Sequence, residues 1–343
     1  MSVESLSSRF WSEGEESGAI SQRRQDIENP YLFIVGCPRS GTTLLRRMVA
    51  AHREIAITPE TQWITRLFKR QKGLTPEGLV TPKVIDRLLE HRRFHLLGIG
   101  REDLEKLISP SEPVSYANFV GRIFDLYGKV NGKRLVGDKT SGYVRNLRVL
   151  HALWPNTRFV HIIRDGRDVA LSVMNWSKAH RATGFFRTWA EDPVSTAALW
   201  WTCNVRFGRE EGERLGPRLY REVRYESLLA DPAGECAKLC AFLGVPYDDA
   251  MPRYHERRPA VAPDLDADHA WLPLTSGMRD WRSQMPAEDV ERFEAAAGGL
   301  LEDSGYERAA PNPRPEAMRY AREFRRAFAE DARSLEWRLP ECW

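Results

Sequence analysis

Tyr31-Leu32-Phe33-Ile34-Val35-Gly36-Cys37-Pro38-Arg39-Ser40-Gly41-Thr42-Thr43-Leu44 is the stretch that decides the fold. Its first five residues are a continuous apolar, partly β-branched run stopped by Gly36 and Pro38, the pattern of a strand buried on both faces of a parallel sheet. From Thr42 to Ala51, Leu44, Leu45, Met48 and Val49 recur at helical spacing. Strand, glycine turn and helix make the first half of a βαβ unit. The turn from Gly36 to Thr43 keeps Walker A spacing (glycine, four residues, glycine), with Thr42 where the lysine would stand. Backbone N–H groups at a helix N-terminus converge on one spot, so such a turn holds an oxygen-rich anion without a lysine. Thr42 and Thr43 add hydroxyl donors, and the planar guanidinium of Arg39 suits a phosphate or sulfonate.

The same pattern recurs downstream. Arg158-Phe159-Val160-His161-Ile162-Ile163 reads as a second buried strand, followed by Asp165 as N-cap and a helix through Val169, Leu171 and Val173. Arg164 ends that strand and Ser172 lies two helical turns along, so both reach toward a second anionic group. A surface ion-pair network among Arg164, Asp165, Arg167 and Asp168 is the plainer alternative. Two anion sites at the carboxyl ends of two strands point to one ligand with two separated anionic groups. A third strand is expected over 218–223 and helices over 143–153 and 193–215, while 83–108 and 114–130 read as helical without a strand signal. These elements predict an α/β fold: a three-layer P-loop-like sandwich with a mainly parallel sheet, an α-helical insertion over about 66–130 and a C-terminal helical tail.

The 343 residues carry 51 Lys and Arg against 48 Asp and Glu, and a net charge of +3 is too small to mark a nucleic-acid binder. Any anion site must be local. The five cysteines include no CxxC pair, so neither a disulfide framework nor a zinc ribbon is indicated, and a cytoplasmic location fits. Residues 1–30 lack the apolar core of a signal peptide and read as a mobile arm. The tail over 311–343 opens with Pro311, Pro313 and Pro315, then sets Met318, Ala321, Phe324, Phe328 and Leu335 on one helical face. Docking onto the protein's own body is its plain reading; a homodimer contact and a peripheral membrane contact are the others.

With both anion motifs in view, the sequence resembles the PAPS-dependent sulfotransferases, PAPS being 3′-phosphoadenosine 5′-phosphosulfate. Pro38 to Leu44 is similar to the family's 5′-phosphosulfate loop, and Arg164 with Ser172 to its 3′-phosphate pair. Val223-Arg224-Tyr225-Glu226-Ser227-Leu228 resembles the segment whose tyrosine lies near the adenine. Gly277-Met278-Arg279-Asp280-Trp281-Arg282 resembles the loop that closes over the nucleotide. The resemblance runs from Tyr31 to Tyr306 and implies a sulfotransferase domain over 31–310. It also implies PAPS as sulfonate donor without a metal, bound by Arg39, Ser40, Gly41, Thr42, Thr43, Leu44, Arg164, Ser172 and Tyr225. Every matched motif ends before Pro311, so the tail is expected to be dispensable for nucleotide binding.

The branch of the family bears on the chemistry. The cytosolic phenol and steroid enzymes place a histidine base two residues after a lysine, whereas Gly137-Asp138-Lys139-Thr140-Ser141 has the lysine and then a serine. Tyrosylprotein, heparan and many bacterial enzymes instead use a glutamate just after the strand that follows the phosphate-loop helix. Glu60, in Pro59-Glu60-Thr61-Gln62, stands at the tyrosylprotein-type spacing from Arg39. The resemblance therefore implies Glu60 as base, with Arg39 and Lys139 stabilising charge in the transition state; an acid facing a helix dipole is the plainer reading of Glu60. Leu274-Thr275-Ser276 stands where the cytosolic enzymes carry an Arg-Lys pair, leaving Arg279 or His269 to replace it.

A glycan, glycolipid or small hydroxylated molecule is the expected acceptor, with peptide tyrosine as the alternative. Trp63, Trp176, Phe185, Phe186, Trp189, Trp200 and Trp201 either wall its pocket or pack the core. A P-loop kinase and a catalytically silent nucleotide-binding protein are the competing classes. The missing loop lysine, and the lack of an obvious apolar run ending in a Walker B aspartate, count against the kinase.

Overall fold

The computed structural model describes residues 30–108, 112–256 and 280–340. Five strands, β1 (Leu32–Gly36), β2 (Ile55–Thr58), β3 (Leu135–Lys139), β4 (Arg158–Ile163) and β5 (Tyr220–Arg224), form one sheet in the order β2-β3-β1-β4-β5. Every pair is parallel, with Leu32 opposite Gly137 on one side and Arg158 on the other. Among the described residues eight helices reach eight residues or more. They are α1 (Thr42–Ala51), α2 (Trp63–Arg70), α3 (Tyr116–Val130), α4 (Gly166–Met174), α5 (Pro193–Leu215), α6 (Pro232–Leu243), α7 (Ala287–Ala297) and α8 (Pro315–Ser334).

Because side chains alternate along a strand, β1 serves both faces of the sheet. Leu32 and Ile34 pack with Leu45, Met48 and Val49 of α1 and Leu239 and Cys240 of α6. Phe33 and Val35 face the opposite layer, where Phe33 meets Phe124 of α3 and stacks on Trp154 at 5.9 Å. All five β1 residues are buried, as the apolar run requires. A third cluster joins α4, α5, α7 and α8 beside the sheet. The carboxyl ends of β1, β3 and β4 consequently open on one edge of a helix-covered sheet, the place where such folds bind ligands.

Several expectations need adjustment. The third strand begins at Tyr220 rather than 218, and 83–108 breaks into Lys83–Leu89, a 3₁₀ turn at Phe94–Leu97, and Arg101–Lys106. The apolar periodicity there survives three separate short helices. β3, Leu-Val-Gly-Asp-Lys, carries no continuous apolar run, yet it is the strand between β1 and β2 and ends in Asp138 and Lys139. The tail helix α8 closes on the body through Ala321, Phe324, Phe328 and Ala332, while Met318 and Leu335 stay exposed. Phe328 packs 4.8 Å from the ring of Phe186, and Trp337 lies edge-on to both rings. Among the described residues no helix is long and apolar enough to cross a membrane. The expected arm up to 29 and the segment with His269, Leu274-Thr275-Ser276 and Gly277-Met278-Arg279 lie outside the described residues.

Candidate active site

The loop between β1 and α1 is held by backbone geometry. Arg39 has φ 76° and Gly41 φ 91°, both in the left-handed region, which costs a non-glycine residue of order 1 kcal/mol and recurs at functional sites. At Gly41 a Cβ would meet the Tyr225 ring at 2.4 Å, so only glycine lets that ring lie against the loop. The first bond of α1 runs from Leu45 N–H to the Gly41 carbonyl at 3.0 Å. The N–H groups of Thr42, Thr43 and Leu44 precede it and point out of the helix start, where the dipole favours an anion. Ser40 Oγ is buried with no hydrogen-bond partner among the described residues. Thr42 Oγ1 and Ser141 Oγ are 2.8 Å apart, so Ser141 touches the loop between β1 and α1. The Leu44 side chain turns away and packs against the core below.

Glu60 follows β2 and Lys139 ends β3. The Lys139 ammonium, 1% exposed, donates to Glu60 Oε1 at 2.9 Å and to Thr43 Oγ1 at 3.2 Å. Arg93, from the turn after Lys83–Leu89, reaches Glu60 Oε2 at 3.2 Å, and Gln62 Nε2 donates to the same oxygen. Burial pushes the Glu60 carboxyl up, but Lys139 and Arg93 outweigh it and hold the group below its usual range. Behind it, Asp138 is fully buried and accepts from Thr58 Oγ1 at 2.9 Å and Thr61 N–H at 3.2 Å. Burial pushes its carboxyl up to about 6 against the bonds from Thr140, Thr58 and Thr61. Asp138 is thus the penultimate residue of β3, beside β1, in a strand without the apolar run that marks a Walker B aspartate. Its carboxylate faces the turn after β2, while the neighbouring Lys139 serves the loop.

The second anion motif joins the first. Arg39 Nε donates to Ser172 Oγ at 3.0 Å, and the Arg39 guanidinium lies 5.1 Å from the Trp176 ring centroid. Arg164 follows β4 with its guanidinium 4.4 Å from the Tyr225 ring and its Nη2 3.3 Å from Asp168 Oδ2. Asp165 caps α4 by accepting from Arg167 N–H. Trp281, at the end of the C-terminal loop motif, donates its N–H to Asp168 and its indole N–H to Asp165. The acids of this motif thus orient the surrounding chain, and the ion-pair alternative for Arg164, Asp165, Arg167 and Asp168 is present alongside a common bay for Arg39, Ser172, Arg164 and Tyr225.

Arg93 and the role of Asp138 escaped the sequence reading, whereas Trp176 was among the aromatics offered as pocket wall or core. Arg93 belongs to a helical insertion with no motif, 33 positions from its partner Glu60, and long-range pairing leaves no local signal. Of the aromatic group, Trp63, Trp200, Trp201 and Phe186 are buried core, whereas Trp176 is at the site and Phe185 is exposed.

Residues 30–249 match the family described as the sulfotransferase family. Protein-tyrosine sulfotransferase A of Caenorhabditis elegans is 26% identical over 295 residues, covering 84% of this chain and 69% of that protein. The Drosophila melanogaster protein-tyrosine sulfotransferase is 28% identical over 297 residues, covering 83% of this chain but only 53% of its own length. Among solved structures, the sulfotransferase domain from the curacin biosynthetic pathway shares the fold with a TM-score of 0.50 at 21% identity, covering 91% of this chain and 99% of that one. Strand order, the phosphate loop and a family match across most of the chain agree that it belongs to the sulfotransferase family.

Proposed function

We propose that the protein moves the sulfonate of PAPS to an acceptor hydroxyl, with Glu60 as base. The observation that carries this reading is the buried Lys139 ammonium, which bonds both the loop hydroxyl of Thr43 and the Glu60 carboxylate. It puts the anion site and the base on one cation. PAPS supplies an activated sulfonate on a phosphate leaving group. The residues suit that donor: among the described residues Ser40 Oγ is buried and unpartnered, the first N–H groups of α1 lie ahead of its first helical bond, and two arginines share the bay. Thr42, Thr43, Leu44 and the loop backbone would bind the 5′-phosphate, Arg164 and Ser172 the 3′-phosphate, and Tyr225 the adenine side.

In the transfer, the acceptor oxygen forms a bond to sulfur as the bond from sulfur to the 5′-phosphate oxygen breaks. The hydroxyl proton passes to Glu60 and the electron pair leaves with 3′-phosphoadenosine 5′-phosphate (PAP). Lys139 and Arg39 offset charge on the oxygens around sulfur, the role that positioned cations play in related phosphoryl transfers. Peptide tyrosine as acceptor is supported by the protein-tyrosine sulfotransferases among the relatives. A glycan, glycolipid or small hydroxylated molecule is the other reading. Labelled PAPS offered with a tyrosine-containing peptide, 4-nitrophenol and a chito-oligosaccharide tests both readings. Label in one acceptor, with equal PAP released and no loss on adding EDTA, is expected. Transfer of phosphate from ATP to the same acceptors, with none from PAPS, would overturn the reading in favour of a kinase.

A further inference from the structure

Asp138 and Lys139 are adjacent in β3, so their side chains leave opposite faces of the strand. Lys139 reaches the Glu60 carboxylate from one side. From the other, Asp138 accepts from Thr58 Oγ1 and Thr61 N–H, the residues two before and one after Glu60. Thr61 is held twice more: its N–H also donates to Thr140 Oγ1 at 3.1 Å, and its hydroxyl lies 2.9 Å from the Tyr143 hydroxyl. Tyr143 accepts from Ile64 N–H at 3.1 Å, and the Ile64 carbonyl accepts from Tyr116 OH at 2.9 Å. Gln62 within this turn has φ 54°, a strained value that the surrounding bonds must impose.

We infer that Asp138 is a positioning residue for Glu60: its buried carboxylate fixes the turn from Thr58 to Thr61, so that the Glu60 carboxylate is presented to the acceptor at the tip of that turn. A buried carboxylate is costly where its bonds are not made, and among the described residues Oδ1 has no partner while Oδ2 accepts both bonds from the turn that carries the candidate base. This inference rests on the reading of Glu60 as base, and the test separates the two. Asp138→Leu keeps the branched heavy-atom shape and removes the acceptor, Asp138→Asn keeps an acceptor oxygen, and Thr58→Val removes one bond only. All are assayed with labelled PAPS and whichever of the tyrosine peptide, 4-nitrophenol and chito-oligosaccharide is sulfonated.

Since a misplacement near 1 Å costs on the order of 10²-fold, Asp138→Leu should lower kcat about 100-fold while KM for PAPS stays within about two-fold. Asp138→Asn should recover most of that loss, and Thr58→Val should fall between if Asp138→Leu does not fold. In a Glu60→Gln background the same substitutions should change kcat by less than about two-fold, because two groups acting through one step are not additive. An undiminished loss in that background overturns the positioning role alone. A Glu60→Gln protein as active as the unaltered one, or no transfer to any of the three acceptors, overturns the base assignment and this inference with it.

Discussion

Lys139 Nζ lies 2.9 Å from Glu60 Oε1, a contact between a buried ammonium and a partly buried carboxylate that also reaches Thr43 on the phosphate loop. A carboxylate held below its usual range by cations is ready to accept a proton but accepts it weakly. An anion entering the loop competes for the same ammonium. If Lys139 turns toward it, the attraction that depresses Glu60 should fall and its basicity should rise when the donor is in place.

Calorimetry with PAP in two buffers of different ionisation enthalpy near pH 5 checks this. Because the Glu60 carboxyl rises on binding, the protein should take up more protons than a Glu60→Gln variant does, PAP's own titration being common to both. Equal uptake by the two proteins would show that Lys139 does not change partners.

Arg164 and Arg39 should act on one ligand, since Arg39 reaches Ser172 and Arg164 lies on the Tyr225 ring. Bonds to charged groups contribute ~1.5–3 kcal/mol each. PAP should therefore bind at least about ten-fold more tightly than AMP, and Arg164→Ala should erase most of that preference. Equal affinity of the unaltered protein for PAP and AMP is the result that excludes the assignment.

The tail helix α8 packs into the core. Phe328 is fully buried between Phe186 and Trp337, and Arg145 stacks on Trp337 at 3.7 Å. Phe328→Ala should lower stability in urea by about 3–5 kcal/mol. Truncation after Ala310 should leave a protein with no cooperative transition, and a truncated form as stable as the full chain would refute that placement.

His161 gives the protein an acid limit. It is buried in β4 with Nδ1 2.6 Å from the Tyr220 hydroxyl, and burial pushes its imidazole down to about 4. The unfolded chain binds this proton near 6.5. Between those values the unfolded state holds more protons, so this stabilisation is complete above 6.5 and is lost as pH falls toward 4. Asp138, pushed up to about 6, acts oppositely: its contribution is complete below about 4 and is lost as pH rises toward 6. Urea midpoints for a His161→Gln variant should fall less between pH 7 and pH 4.5 than those of the unaltered protein. A parallel fall would remove His161 as the cause.

What the chain discloses by itself follows the range of its interactions. β1 and β4 are legible because strands buried on both faces must be apolar throughout. The phosphate loop is legible because its glycines answer to local backbone geometry at Gly41 and its neighbours. β3 was hidden because its last residues, Asp138 and Lys139, are there for the site rather than for the core, so polarity interrupts the strand pattern. Arg93 was hidden because the residue it meets is far away in sequence, and Trp176 was visible only as one of seven aromatics until the folded chain set it beside Arg39.

The central claim is that Glu60 takes the acceptor's proton, and Glu60→Gln tests it most directly. The amide keeps the shape and most hydrogen bonds of the glutamate but cannot accept that proton. A positioned base contributes ~10²–10⁴-fold, so kcat should fall by that factor while PAP affinity stays near that of the unaltered protein. Turnover close to that of the unaltered enzyme, measured where chemistry limits the rate, would contradict the account and assign the proton to another group.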